Sequence, residues 1–208
     1  VRRAVVIAAI VVVAAAALFL PLMRVEAVRT LAERARLMSV LPAPLARLVY
    51  PLRYEPEIRA AARRNGLNPA LVAAIIEEES GFAAETTSPQ GAVGLMQVLP
   101  STAEEIARKS GGVHFVLRDL QKPGVNVLYG SYYLRRLLDR YAGSELEAIA
   151  AYNAGQANVD RWVAAARAGG RPFDVRAIPY GETREYVAEV ERLRAVYDRV
   201  YGARLNGP

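Results

Sequence analysis

The hydrophobic pattern divides the chain into three stretches. From Ala4 to Met23 no residue is charged, and nearly every one is Ala, Val, Ile or Leu. Such a run is long enough to cross a bilayer as a helix, which takes roughly 20 residues. Arg2 and Arg3 precede it, so the positive-inside tendency predicts a cytoplasmic N-terminus with the rest of the chain outside. The competing reading is a cleaved signal peptide, whose apolar region is usually about 7–15 residues and ends at a small-x-small site. Leu18 to Met23 offers no such site, which favours an uncleaved anchor over residues 1–23. Both readings carry the following domain out of the cytoplasm.

Residues 24–53 are rich in Ala and Arg and broken by Pro42, Pro44 and Pro51, and they read as a partly helical stalk or linker. Its Leu and Val residues are also able to pack on the domain. From residue 54 to 208 the pattern is that of helices and loops, with no run of alternating β-branched residues. A first helix is predicted over 56–64, stopped by Asn65-Gly66. A second opens on the Asn68-Pro69 pair and runs to Ser80. A third starts at Ser101, where Ser101 to Glu104 has capping-box spacing. Others are predicted over 124–141, 145–152, 156–168 and 183–201. The last carries Tyr186, Val190, Leu193, Tyr197 and Val200 at spacings of three and four. The fold class is therefore all-α, preceded by a transmembrane helix.

One polar residue breaks the pattern. Leu71, Val72, Ile75 and Ile76 define an apolar stripe on the second helix, and Glu77, Glu78 and Glu79 follow. At about 100° per residue Glu77 falls opposite the stripe, Glu78 at its edge and Glu79 near its centre. Glu77 and Glu78 read as a solvated face. A carboxylate on the core-facing stripe is paired, frayed into solvent, or held protonated for chemistry. A partly buried glutamate has the raised pKa that a general acid requires.

Composition removes several classes of function. The chain has no cysteine, which excludes thiol nucleophiles, disulfides and zinc–thiolate sites. A single histidine, His114, stands beside Gly111-Gly112 and reads as a loop residue, with no nucleophile elbow to accompany it. The net charge of +6 suits anionic headgroups or acidic wall polymers. An exported chain without a recognisable nucleic-acid motif is not a nucleic-acid binder.

Four blocks surround the anomalous glutamate: Glu79-Ser80-Gly81-Phe82, then Ser88 to Gln97 (SPQGAVGLMQ), then Ala151-Tyr152-Asn153-Ala154-Gly155, then Ile178 to Val187 (IPYGETREYV). In this order they closely resemble the catalytic domain of the soluble lytic transglycosylase family, the SLT domain with a lysozyme-like fold. The resemblance covers about residues 54–201. It implies that Glu79 is the sole catalytic carboxylate. It implies that the Gly91–Gln97 loop lines a sugar cleft, with Gly94 and Gln97 on it and Ser88 near it. It places Tyr152 beside Glu79, where a phenol can orient the carboxyl, and Asn153 and Tyr186 at the cleft wall. Met96 belongs to the same block, although core packing explains it as well. One departure stands out: many relatives carry Glu two residues before the Ile-Pro pair, where this chain has Arg176.

The resemblance implies cleavage of peptidoglycan strands between N-acetylmuramic acid and N-acetylglucosamine, closing a 1,6-anhydro ring, without metal or cofactor. Ordinary glycosidases use two carboxylates, whereas this route needs one. The rival readings are a goose-type lysozyme-like hydrolase and a non-catalytic wall-binding protein of the same fold.

Overall fold

The structure is a computed structural model that describes residues 42–109 and 117–207. The Ala4–Met23 run, the connector up to residue 41 and His114 lie outside the described residues. Among those described, no helix is long and apolar enough to cross a membrane.

Eight α-helices and two short 3-10 turns make up the described chain: α1 Ala43–Val49, α2 Glu55–Asn65, α3 Pro69–Ser80, α4 Pro100–Lys109, α5 Pro123–Arg140, α6 Glu145–Ala154, α7 Gln156–Ala168 and α8 Gly181–Leu205, with 3-10 turns at Leu117–Gln121 and Val175–Ala177. The starts follow ordinary capping chemistry. Asn68 accepts from the amides of Ala70 and Leu71 ahead of Pro69, and Ser144 accepts from Glu147 at the start of α6. The capping box expected at Ser101 does not start α4. That helix begins one residue earlier at Pro100, and its first turn closes on the Leu99 carbonyl. Only isolated bridges, Thr87 with Val93 and Val93 with Val98, stand in for β structure among the described residues.

The helix that carries Glu79 is seated between two others. α8, whose 25 residues span about 37 Å at 1.5 Å per residue, packs along α3, and α2 packs on α3 from another side. α5 then bridges α2 and α6, and α6 joins α8 and α7. Every residue from Pro69 to Glu77 is buried. This corrects the reading of α3 as a helix with a solvated face. Ala70, Ala73 and Ala74 are small enough for neighbours to close over the side away from the Leu-Val-Ile stripe. Glu77 is consequently not a surface residue: it is 4% exposed, with the Tyr197 hydroxyl 3.4 Å from its Oε2.

Part of the stretch read as stalk belongs to the folded body. Ala46, Val49 and Tyr50 are buried in the main core, and α1 packs on α8. The Tyr201 hydroxyl donates to the Tyr50 carbonyl (3.0 Å) and accepts from the Leu52 amide (3.3 Å). Two of the prolines that suggested a linker start α1, Pro42 as its N-cap and Pro44 in its first turn.

α5 prepares the seat for the loop that follows α3. At Gly130 a Cβ would lie 2.6 Å from both Cβ and Sδ of Met96. The missing side chain is what lets Met96 sink to 0% exposure against α5.

Candidate active site

Glu79 lies on the last turn of α3. Gly81 (φ 56°) and Phe82 (φ 62°) then take two successive left-handed conformations. Gly81 does so without a Cβ penalty, while Phe82 is held by burial and by the ring of Tyr197 at 6.1 Å. The chain leaves α3 abruptly, so the carboxyl of Glu79 stands at a helix end and not inside a longer helix.

The Val93–Val98 loop returns over that end and is fastened from several directions. Gly94 is buried with φ 77°, and a Cβ there would come within 2.3 Å of Asn126 Nδ2 and 2.7 Å of the Leu120 carbonyl. Asn126, from α5, is 1% exposed. Its Nδ2 donates to the carbonyls of Val93 (2.7 Å) and Leu120 (2.8 Å), and its Oδ1 accepts from the Met96 amide (2.8 Å). The Ser80 hydroxyl lies 2.9 Å from the Leu95 carbonyl and 3.1 Å from that of Ile76, a single donor placed between them. Gln97 adopts φ 45° and its Nε2 donates to the carbonyls of Gly94 (2.9 Å) and Thr86 (3.3 Å). The donor half of this amide is therefore used by the loop, which leaves Oε1 as the polar atom available to a ligand.

The two tyrosines occupy different posts from those the sequence suggested. The Tyr152 hydroxyl donates to the Met96 carbonyl at 2.8 Å. Tyr186, on the first turns of α8, donates to Glu79 Oε1 at 2.6 Å. Tyr186 thus orients the carboxyl directly, and Tyr152 clamps the loop while remaining close enough to feel the Glu79 charge. Both phenols are pushed well above their usual pKa, first by burial and then by that charge, so both stay protonated donors. Asn153 turns its Oδ1 to the Thr183 hydroxyl (2.8 Å), which ties the end of α6 to the start of α8.

Burial raises the pKa of Glu79 from 4.5 to about 7, the hydrogen bond from Tyr186 opposes the rise, and the charge of Glu78 adds to it. Glu78 is therefore not electrically silent. Near neutral pH Glu79 can therefore hold a proton, which an ordinary glutamate has lost.

A cavity of about 260 Å³ opens beside this cluster, lined among others by Gln97, Leu99, Thr102, Tyr133, Tyr152 and Asn153. Leu99 is exposed there, and the ring of Tyr133 lies 5.5 Å from that of Tyr152. Of the residues assigned from sequence, Glu79 and Tyr186 meet directly, and Gly94, Met96, Gln97, Tyr152 and Asn153 gather around the loop and cavity. Met96 contributes its backbone carbonyl only, because its side chain is fully buried. Ser88 holds its own turn, accepting from the Ala92 amide at 3.1 Å. Asn126, Thr183 and Tyr133 went unnoticed in the sequence. The one signal for Asn126 is its isolation in Val125-Asn126-Val127-Leu128, an amide in an otherwise apolar run.

The chain matches the profile of the Transglycosylase SLT domain over residues 56–172, more than half of its length. The chain belongs to this family. The SLT domain defined by the match includes Glu79, the loop, Tyr152 and Asn153, and α8 with Tyr186 follows it. Over 161 residues it is 32% identical to the soluble lytic murein transglycosylase of Salmonella typhimurium, covering 74% of this chain and 24% of that protein. Over 165 residues it is 32% identical to the membrane-bound lytic murein transglycosylase C of Actinobacillus pleuropneumoniae, covering 69% and 45%. The fold superposes on an inactive glutamate-to-glutamine mutant of the lytic transglycosylase Slt from Pseudomonas aeruginosa with a TM-score of 0.70 and 27% identity, over 85% of this chain and 28% of that one. The chain spans about a quarter of the length of the soluble relatives it matches.

Proposed function

We propose that this SLT domain protein is a peptidoglycan lytic transglycosylase. The observation that carries the reading is Glu79, a carboxyl raised to about 7 by burial, oriented by the Tyr186 hydroxyl at 2.6 Å and near Tyr152, which lines an open cavity. Protonated Glu79 gives its proton to the glycosidic oxygen as the bond to C1 of the muramic acid breaks. The substrate's acetamido group relieves the positive charge at C1. The carboxylate then takes the proton of the muramic 6-hydroxyl, whose oxygen closes on C1, and Glu79 returns to its starting state. A single group serves as acid and then base, and no water enters. The names of the Salmonella and Actinobacillus relatives, both lytic murein transglycosylases, support the substrate class.

Mass analysis of fragments released from purified peptidoglycan tests this reading. Muramic ends one water lighter than the reducing sugar are expected. Reducing ends would identify a hydrolase, and no release at all would leave a binding protein of the same fold.

Tyr186→Phe separates orientation from structure. The lost hydrogen bond favours the charged carboxyl, so its removal raises the Glu79 pKa further. The alkaline limb of the pH–rate profile, where the acid loses its proton, moves to higher pH. The rate at the optimum falls by about ten-fold, the scale of one hydrogen bond to a charged group. A limb that stays in place would assign Tyr186 to packing alone.

The Ala4–Met23 run is proposed to anchor the chain in the cell membrane with the SLT domain on the wall side. Its length, its two preceding arginines and the membrane-bound name of the Actinobacillus relative support this.

A further inference from the structure

The positive charge of the chain is not spread along it. Residues 55–208 hold 19 basic and 19 acidic side chains, so the whole net charge of +6 falls on residues 1–54. Between the Ala4–Met23 run and α2, residues 24–54 carry six arginines against two glutamates. Attraction to acidic wall polymers would call for excess charge on the body of the SLT domain. The excess lies instead next to the apolar run, where anionic headgroups would meet it.

Part of this basic stretch is folded and presents a face. On α1, Ala46 and Val49 are buried and the helix packs on α8. Pro44, Arg47 and Leu48 are exposed, and at positions i, i+3 and i+4 they share the outward side. Pro51 and Arg53 follow, exposed as well. Leu48 is 54% exposed, the most of any large apolar side chain among the described residues. Neither Arg47 nor Arg53 has an ion pair among the described residues. Arg204, at the same end of α8, is held by Glu55, its guanidinium 5.7 Å from the centre of the Tyr201 ring. An apolar tip flanked by guanidiniums suits a lipid interface: the leucine enters the acyl boundary while the charges stay among the headgroups.

The face is fixed to the domain. Tyr201 bonds the Tyr50 carbonyl and the Leu52 amide, on either side of Pro51. Residues 24–41 separate the apolar run from Pro42 and reach at most about 60 Å. A connection of that length gives an effective concentration on the order of millimolar, so a weak contact suffices.

We propose that the outward face of α1, with Pro51 and Arg53, docks the SLT domain on the anionic lipid headgroups of the membrane that holds the apolar run. The proposal rests on the anchor reading of Ala4–Met23. Tyr186, the partner of Glu79, stands about 22 Å from Tyr201 along α8. The docked end and the candidate active site are thus different ends of one helix.

The chain has no cysteine, so Leu48→Cys takes a single environment-sensitive dye. The labelled full chain is reconstituted into vesicles that carry nitroxide-labelled lipid. One set contains phosphatidylglycerol, the other phosphatidylcholine alone. Quenching is expected in the anionic set and is relieved at about 1 M salt, where screening shortens to about 3 Å. A basic side chain at an anionic surface is worth about a factor of five. Adding R47Q/R53Q is therefore expected to lower the ratio of docked to undocked domain by about 25-fold, with thermal unfolding unchanged. A dye on Glu182→Cys, about 28 Å from Tyr201 along α8, is expected to stay unquenched. No quenching at position 48 of the anchored chain would overturn the proposal. So would equal quenching in neutral vesicles, or equal quenching at position 182. Excimer emission from pyrene on Leu48→Cys, in place of quenching, would give the face to a second copy of the chain and overturn it too. Extraction of the chain by alkaline carbonate would count against the anchor reading alone, and salt-reversible quenching by added anionic vesicles would still support the face.

Discussion

Glu79→Gln is expected to cut the release of anhydro-ended fragments by about 10²- to 10⁴-fold, the usual contribution of a general acid–base group. The amide has the size of the carboxyl and still presents an oxygen to the Tyr186 hydroxyl, which donates to Oε1 in the native chain. It has no proton to transfer at the strength required and cannot take one back. Because burial already disfavours the charged form of Glu79, a neutral amide in its place adds little desolvation cost. The melting temperature should therefore move by no more than a few degrees. The measurement pairs a fragment-release assay with thermal unfolding of the same preparation. Native-like release by a folded Glu79→Gln protein would remove this residue from the chemistry.

Asn126→Ala should act in the opposite way, on the fold first and on activity through it. The side chain serves three partners in a fully buried position. The Val93 carbonyl keeps a bond from the Val98 amide, but the Met96 amide and the Leu120 carbonyl are left wanting. Each unsatisfied buried group costs about 1–3 kcal/mol, so a loss of about 2–6 kcal/mol is expected. Domains in general have about 5–15 kcal/mol to lose. At about 2–4 °C per kcal/mol for a chain of this size, thermal unfolding should fall by roughly 5–20 °C. Below that temperature the loop loosens, and Tyr152 loses the fixed Met96 carbonyl on which its hydroxyl rests. A change under 2 °C would mean that water or a shifted loop replaces the amide at little cost.

These two residues also mark how far the sequence could be read. Helix positions were legible because their signals are local: Asn68-Pro69 opens α3, and Gly66 and Gly81 close α2 and α3 in left-handed conformations. Glu79 was legible because one carboxyl sat on an apolar stripe. The orientation of helices around α3 was not, since alanines carry no periodic signal. Glu77 was for that reason read as solvated although the structure buries it. That the Tyr186 hydroxyl, and not that of Tyr152, bonds the carboxyl has a similar cause. Both stand near the carboxyl, and only the approach of α8 to α3 decides which hydroxyl reaches it. Asn126 depends on three carbonyl and amide groups from other segments, up to 33 residues away, so nothing in its own neighbourhood announces it. The packed segment 43–52 was masked by prolines that suit a linker and a tight wrap equally.

The burial of α3 on nearly every side has a consequence for the lifetime of the activity. In many enzymes the reactive residue rides on a lid or loop that opens well below the cost of global unfolding. Here it rides on a helix that is buried from residue 69 to 77 and packed on α2 and α8. Amide protons along 72–77 are expected to exchange with solvent only on global opening, which hydrogen exchange against unfolding free energy checks. Heat cannot then silence Glu79 while sparing the fold, and the half-life of the active state and the half-life of the native state become one quantity.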